Sequence, residues 1–109
     1  KGIGPYTAAA IASIAFNQAV PAIDGNVLRV SARLFLITVP IDKISTRNKI
    51  QTILNGFVPN ENPGDFNQAM MELGAIICKP KKPSCPNCPI NMHCLAFAES
   101  KQHLVPVKS

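Results

Sequence analysis

The sequence lacks the features that would indicate a membrane, secreted or disordered protein. It has no tryptophan, and its longest apolar run, residues 8–16, is interrupted by Ser13. That run is far shorter than the roughly 20 residues of a membrane-spanning helix. No signal-peptide pattern, internal repeat or low-complexity segment is visible. The hydrophobic fraction of 47% instead predicts one folded domain of modest size.

Acidic residues are also scarce, since six Asp and Glu residues stand against eleven Lys and Arg residues. The resulting net charge of +5 suits a polyanionic partner such as nucleic acid. A solvated protein surface explains the same charge equally well. Charge alone therefore leaves both interpretations open.

The hydrophobic pattern predicts helices and no strand, because apolar residues recur at helical spacing and no segment alternates convincingly. The predicted helices cover residues 5–16, 25–37, about 45–57 and 63–77. Asp24 is placed to cap the second helix, and Ser45 or Thr46 is placed to cap the third. The predicted fold class is therefore all-α.

All four cysteines lie within seventeen residues, in the pattern C-x6-C-x2-C-x5-C with prolines between them. Such clustering is typical of a metal site, whereas disulfides suit small secreted scaffolds that lack a helical core. The spacing by itself leaves a tetrahedral zinc ion and a [4Fe–4S] cluster open. The candidate ligands are Cys78, Cys85, Cys88 and Cys94.

Three lysines, Lys79, Lys81 and Lys82, lie between the first two cysteines. A metal that fixes both ends of this loop would present their charges to phosphate with little ordering entropy left to lose. The alternative is a solvated run of charge. We predict that these lysines contact DNA.

The stretch GIGPYTAAAI has the pattern of the second half of a helix–hairpin–helix motif. Its glycines permit a tight turn, and the helix that starts near Pro5 adds unpaired backbone amides that suit a DNA phosphate. A glycine-rich helix cap would have the same sequence. The candidate phosphate-binding residues are Gly2, Ile3, Gly4 and Thr7.

Three motifs occur in a fixed order: GIGPYTA, then DGNVLRV, then the four cysteines after FNQAMMELGAIIC. From Lys1 to about Cys94 this combination resembles the endonuclease III superfamily of helix–hairpin–helix DNA glycosylases, and more closely the adenine DNA glycosylase (MutY) family. The resemblance implies part of the glycosylase helical fold over residues 1–77 and a [4Fe–4S] cluster loop over 78–98. Residues 99–109 are predicted to be a tail or linker.

The resemblance implies hydrolytic removal of adenine mispaired with 8-oxoguanine or guanine in double-stranded DNA, a step of base excision repair. Asp24 matches the family's catalytic carboxylate, although a helix cap alone would also explain it. Asn26 and Tyr6 match positions near the sugar. Strand-nicking relatives carry a lysine where this chain has Tyr6, and tyrosine cannot form a Schiff base. The implied enzyme is therefore a monofunctional hydrolase.

Two other functions stay open: an endonuclease III-like glycosylase and AP lyase, or a non-catalytic DNA-binding module with an iron–sulfur cluster or zinc. The sequence also departs from the family, because Lys1 stands where relatives usually have proline. The glutamate that protonates the departing adenine lies upstream in the family and has no match here, since Glu61, Glu72 and Glu99 do not fit its motif.

These departures predict a fragment of a catalytic domain. We expect it to be inactive alone and to self-associate through apolar faces that the missing helices would cover. The resemblance further implies a bacterial, cytoplasmic, nucleoid-associated protein with no membrane partner.

Overall fold

The structure is a computed structural model that describes residues 18–108, so the helix predicted over residues 5–16 lies outside it. The described residues form four α-helices, one π-helix and two short 3-10 turns. These are α1 (Gly25–Leu34), α2 (Ile44–Asn55), α3 (Pro63–Glu72) with the π-helix Leu73–Ile77, the turns Cys85–Asn87 and Asn91–His93, and α4 (Leu95–Ala98). A single parallel bridge between Pro40 and Val107 is the only β pairing in this range.

Helix α1 lies at the centre of the fold and packs against α2, α3, the π-helix and α4. Its Val27 and Val30 are buried, as are Ile50 and Leu54 on α2 and Met70 on α3. These residues are among those whose helical spacing predicted the helices. The all-α prediction is therefore confirmed for the described residues.

Helix α1 ends three residues earlier than its apolar pattern predicts. The amide of Ile37 donates to the carbonyl of Ala32 at 2.8 Å, and Leu36 adopts a left-handed φ of 52°. This is a Schellman-type ending, in which a residue just beyond the helix folds back against its last turn. Ile37 thereby enters the core without continuing the helix, so the predicted end at residue 37 is wrong.

Helix α2 begins at Ile44, and its N-cap residue, Lys43, makes no side-chain capping bond. The prediction that Ser45 or Thr46 caps this helix is therefore wrong. Thr46 is instead buried within the first turn. The apolar stripe predicts that the helix ends near Phe57, but the helix ends at Asn55.

The predicted helix over residues 63–77 is continuous but changes type. Its last five residues, Leu73–Ile77, form a π-helix, and the amide of Cys78 donates to the Leu73 carbonyl at 2.7 Å. Gly74 touches α1 so closely that an added Cβ would lie 2.8 Å from the Cβ of Asn26. A glycine here therefore lets the two backbones meet.

The C-terminal segment, residues 101–108, packs against the fold and does not form the predicted tail or linker. Val105 is 3% exposed, and the amide of Ile41 donates to the carbonyl of Val107 at 2.8 Å. The segment turns back because α4 also has a Schellman-type ending, in which Lys101 donates to the Ala96 carbonyl.

An apolar groove of about 260 Å³ opens between α1, α2, α3 and the loop that carries the four cysteines, residues 78–94, which we call the cysteine loop. Phe57 on its rim is 58% exposed, and its ring lies 5.7 Å from that of Phe35. The self-association expected from such faces stays a prediction. None of the helices in residues 18–108 has the length and apolarity to cross a membrane.

Candidate active site and cysteine loop

Asp24 caps α1 and also faces a cleft. Its Oδ1 accepts a hydrogen bond from the Val27 amide at 2.8 Å, which satisfies one of the free amides at the helix start. Within residues 18–108, its Oδ2 receives one contact, a long one of 3.5 Å from the side-chain amide of Asn26. As far as these residues go, one oxygen is committed to the helix, and the other keeps most of its hydrogen-bonding capacity for a ligand.

Arg29 fixes Asn26 from the next turn of the helix. Its Nη2 donates to Asn26 Oδ1 at 2.9 Å and to the Gly74 carbonyl at 2.6 Å, and its Nε donates to the Cys78 carbonyl at 2.8 Å. Burial lowers the pKa of Arg29, but arginine stays protonated in proteins. Arg29 thus joins the Asp24 end of α1 to the start of the cysteine loop, a function that the sequence analysis missed.

The cleft in front of Asp24 has a volume of about 510 Å³. Asp24 is the only acidic residue among its described lining residues, whereas basic side chains line several sides. The lining includes Asn26, Arg29, Pro80, His103, Val105 and Lys108. A single carboxylate in a cleft whose other charged lining residues are basic suits an anionic ligand that develops positive charge at one atom.

Asn67 holds the irregular segment that leads into Asp24. Its side chain accepts from the Ala22 amide at 3.1 Å and donates to the Val20 carbonyl at 2.8 Å. Asn67 and Ala22 are buried, so solvent cannot replace the bond to the Ala22 amide, whereas the bond to the Val20 carbonyl is partly buried. Asn67 lies more than forty residues from this segment in sequence, which is why no local pattern indicated it.

We therefore expect Asn67→Ala to lower the free energy of unfolding by about 2–4 kcal/mol, because it leaves a buried amide and a partly buried carbonyl without partners. Urea denaturation of the 109-residue chain measures the loss. The matched control is Asn48→Ala, at an exposed position of α2. Equal midpoints for the two variants would contradict the assigned contacts.

Five predicted site residues lie outside the described residues. They are Gly2, Ile3, Gly4, Tyr6 and Thr7. Their predicted contacts with DNA and sugar stay predictions.

The four cysteines converge on one small cavity of about 30 Å³ beside the end of α1. Nη1 of Arg33 lies 3.3 Å from the Cys78 sulfur, and the Cys94 thiol donates to the Arg33 carbonyl. Among the described residues no three His, Cys, Asp or Glu side chains are arranged closely enough to hold a metal ion. The donor set of four thiols around one cavity nevertheless has the chemistry that binds zinc or an iron–sulfur cluster.

Burial raises the pKa of the Cys85 and Cys88 thiols, and negative charge on Cys78 and Cys94 would raise it further. The folded metal-free chain therefore keeps these protons longer than the unfolded chain does. The contribution of these two thiols to the free energy of unfolding should be fully present below the ordinary thiol pKa of 9.0. It should be lost as the pH rises through their higher pKa values in the folded chain.

We expect alkylation of Cys85 and Cys88 by iodoacetamide to reach half its maximal rate at a higher pH in the folded metal-free chain than in urea. Mass spectrometry of each peptide across a pH series measures this midpoint. The shift should appear as a displaced pH profile and not merely as a lower plateau, because steric protection changes only the plateau. Superimposed profiles would contradict the effect of burial.

The lysines of the cysteine loop, Lys79, Lys81 and Lys82, are all exposed. Lys82 adopts a left-handed φ of 53°. The structure thus leaves all three ammonium groups accessible to a partner.

No protein-family model matches the sequence, but individual proteins do. The chain is 53% identical over 104 residues to adenine DNA glycosylase of Arabidopsis thaliana and 47% identical over 98 residues to that of Schizosaccharomyces pombe. These matches cover 94% and 90% of this chain but only 16% and 21% of the relatives. Other similar adenine DNA glycosylases come from animals and bacteria, so the expected bacterial origin stays a prediction.

Solved structures of DNA glycosylases have the same fold. A thermostable thymine-DNA glycosylase superposes with a TM-score of 0.76 at 30% identity, over 89% of this chain and 44% of that one. A trapped endonuclease III–DNA covalent intermediate superposes with a TM-score of 0.68 at 28% identity, over 90% of this chain and 44% of that one. The predicted partial glycosylase fold is therefore confirmed.

Proposed function

We propose a function from one premise, that this chain is homologous to one segment of the adenine DNA glycosylases. The chain supplies the carboxylate side of an adenine-excising site on DNA. The chain spans about a fifth or less of these two relatives, and the proposed activity is that of the whole relatives. The observation that carries the proposal is that the Asp24 oxygen not used by the helix cap lies at the wall of a cleft whose other charged lining residues are basic.

In the proposed reaction the bond between adenine and C1′ of the sugar breaks, and its electron pair leaves with the base. Positive charge then develops on the sugar. The Asp24 carboxylate stabilises this charge electrostatically and can capture C1′ before water completes the hydrolysis. Asn26, held by Arg29, keeps the free oxygen of Asp24 oriented.

The departing adenine needs a proton, which this chain does not supply. Among the described residues, no glutamate lines the cleft, and Glu61 and Glu99 are exposed on other surfaces. The resemblance places the acid in the part of the family that precedes the hairpin. The chain alone is therefore proposed to be inactive.

The proposed partner is double-stranded DNA with a mispaired adenine, flipped out of the stack so that its sugar reaches Asp24. Lys79, Lys81 and Lys82 would contact phosphates without reading bases. The hairpin residues Gly2, Ile3, Gly4 and Thr7 would bind a further phosphate.

A [4Fe–4S] cluster is the proposed cofactor, with Cys78, Cys85, Cys88 and Cys94 as its ligands; zinc is the alternative. When bound, the cluster supplies a rigid cross-link of the loop that carries the three lysines. Iron and sulfide content of freshly purified protein distinguishes the two metals. Zinc without sulfide would overturn the cluster.

A chimera tests the function. In the Schizosaccharomyces pombe relative, the matching segment is replaced by this chain, and adenine release is measured on a duplex with an adenine–8-oxoguanine pair. We expect excision by the chimera and none by the 109-residue chain. A folded, DNA-binding chimera without excision would overturn the proposal, and excision by the isolated chain would refute its proposed inactivity.

The second candidate function is a non-catalytic DNA-binding module, which the capping bond of Asp24 favours. An AP lyase of the endonuclease III type is the third. Borohydride trapping of a covalent DNA adduct on the chimera would establish the lyase, and Tyr6 in place of a lysine predicts that no adduct forms.

A further inference from the structure

Arg33 is a buried cation that no part of the proposed reaction uses. It is 4% exposed, and its guanidinium donates to three backbone carbonyls: Val105 at 3.1 Å, Lys79 at 2.7 Å and Pro80 at 3.0 Å. It also lies 3.3 Å from the sulfur of Cys78. A guanidinium has five donors spread over three nitrogens and can pair with all of these partners at once, whereas the single ammonium of a lysine has three donors.

These partners belong to two segments that are far apart in sequence. One is the start of the cysteine loop, Cys78–Pro80, and the other is the C-terminal segment, residues 101–108. In the sequence, residues 81–100, with two short turns and α4, separate the two segments. Both segments contribute to the wall of the Asp24 cleft, through Pro80 and Val105.

We propose that Arg33 is a positioning residue that fastens the cysteine loop and the C-terminal segment to α1, so that the order of each segment depends on the other. A buried guanidinium is stable only while its donors are paired. Losing the Val105 carbonyl leaves one nitrogen without a partner and weakens the hold on the loop. The inference rests on these contacts and stands even if the proposed function fails.

Trypsin reports the order of the loop at one bond. It cleaves after lysine but not before proline, so Lys79–Pro80 and Lys82–Pro83 resist it and Lys81–Lys82 is the single susceptible bond of the loop. Cleavage after Lys49, within α2, reports global unfolding in the same sample. The cleavage ratio, which is the rate of cleavage after Lys81 divided by the rate after Lys49, separates local opening of the loop from unfolding of the whole chain.

For Arg33→Lys in the otherwise unchanged 109-residue chain, we expect the cleavage ratio to rise about tenfold or more, because hydrogen bonds of a charged donor are lost. Arg47→Lys is the matched control, since this exposed arginine makes a single long contact within residues 18–108, with the Ile23 carbonyl. If Arg33→Lys accelerates cleavage after Lys49 and Lys81 equally, Arg33 serves general stability only, and the proposal is overturned.

Coupling between the segments is measured by changing the C-terminal segment, alone and together with Arg33→Lys. A chain truncated after Leu104 lacks the Val105 carbonyl, whereas Val105→Ala keeps that carbonyl and loses only the side chain. We expect truncation to raise the cleavage ratio severalfold more than Val105→Ala does, and to add little to Arg33→Lys. Equal ratios for truncation and Val105→Ala, or full additivity with Arg33→Lys, would overturn the proposed coupling.

Discussion

Replacing Asp24 by asparagine should abolish most adenine excision by the chimera while leaving its fold and DNA affinity intact. Asparagine caps a helix as well as aspartate does, so the bond to the Val27 amide survives. What is lost is the negative charge beside the sugar, and removing one such electrostatic group costs about 100–1,000-fold in rate. Single-turnover release of adenine measures the loss, and a binding titration on the same duplex measures affinity.

Two comparisons make this prediction specific. Asp65→Asn changes an exposed carboxylate in the first turn of α3 and should leave excision unchanged. Asp24→Ala should lose excision and also about 1 kcal/mol of stability, because it removes the cap as well as the charge. Unchanged excision by Asp24→Asn would reduce Asp24 to a helix cap and favour the non-catalytic module.

Gly74→Ala should damage stability and catalysis together. The added methyl group would lie 2.8 Å from the Asn26 Cβ and 2.9 Å from the Asn26 carbonyl oxygen, so α1 and the π-helix must separate. Overpacking of this kind costs about 1–3 kcal/mol. Separation would also stretch the bonds from Arg29 to Asn26 and to the Gly74 carbonyl, and therefore disturb the environment of Asp24.

Gly56→Ala is the matched control, because Gly56 has an ordinary helical conformation at the end of α2 and its added Cβ meets only the Ile53 carbonyl at 3.5 Å. Urea denaturation of both variants and adenine release by the corresponding chimeras measure the two effects. We expect Gly56→Ala to be neutral or slightly stabilising. A Gly74→Ala protein with wild-type stability and excision would contradict the close approach.

Local sequence patterns predicted the three longer described helices but neither the short α4 nor the ends of α1 and α2. The apolar spacing that includes Ile37 cannot distinguish a helix that continues from a Schellman-type turn that buries the same residue. The π-helix over Leu73–Ile77 was likewise not predicted, because an apolar pattern at helical spacing does not distinguish a π-helix from an α-helix. The C-terminal segment was mistaken for a tail because its order comes from distant carbonyl contacts.

The candidate site shows the same difference between residues in local motifs and residues that act through distant contacts. Asp24, Asn26 and the cysteines lie within short motifs, so sequence reasoning could select them. Arg29 and Asn67 act through partners 45–49 residues away, which no local window includes. The only signal in the sequence for Arg29 and Asn67 was weak, because it consists of polar residues at helical positions that the apolar pattern would bury. A buried polar side chain must find partners, but the sequence does not show where they lie.

The central claim is that the free oxygen of Asp24 lies beside the sugar whose bond to adenine breaks. A structure of the chimera bound to a duplex with a non-cleavable adenosine analogue opposite 8-oxoguanine tests it most directly. We predict that Asp24 Oδ2 lies about 3–3.5 Å from C1′ of the flipped nucleotide, the separation of a reacting pair. A flipped nucleotide bound elsewhere, with Asp24 facing away from the DNA, would contradict the account.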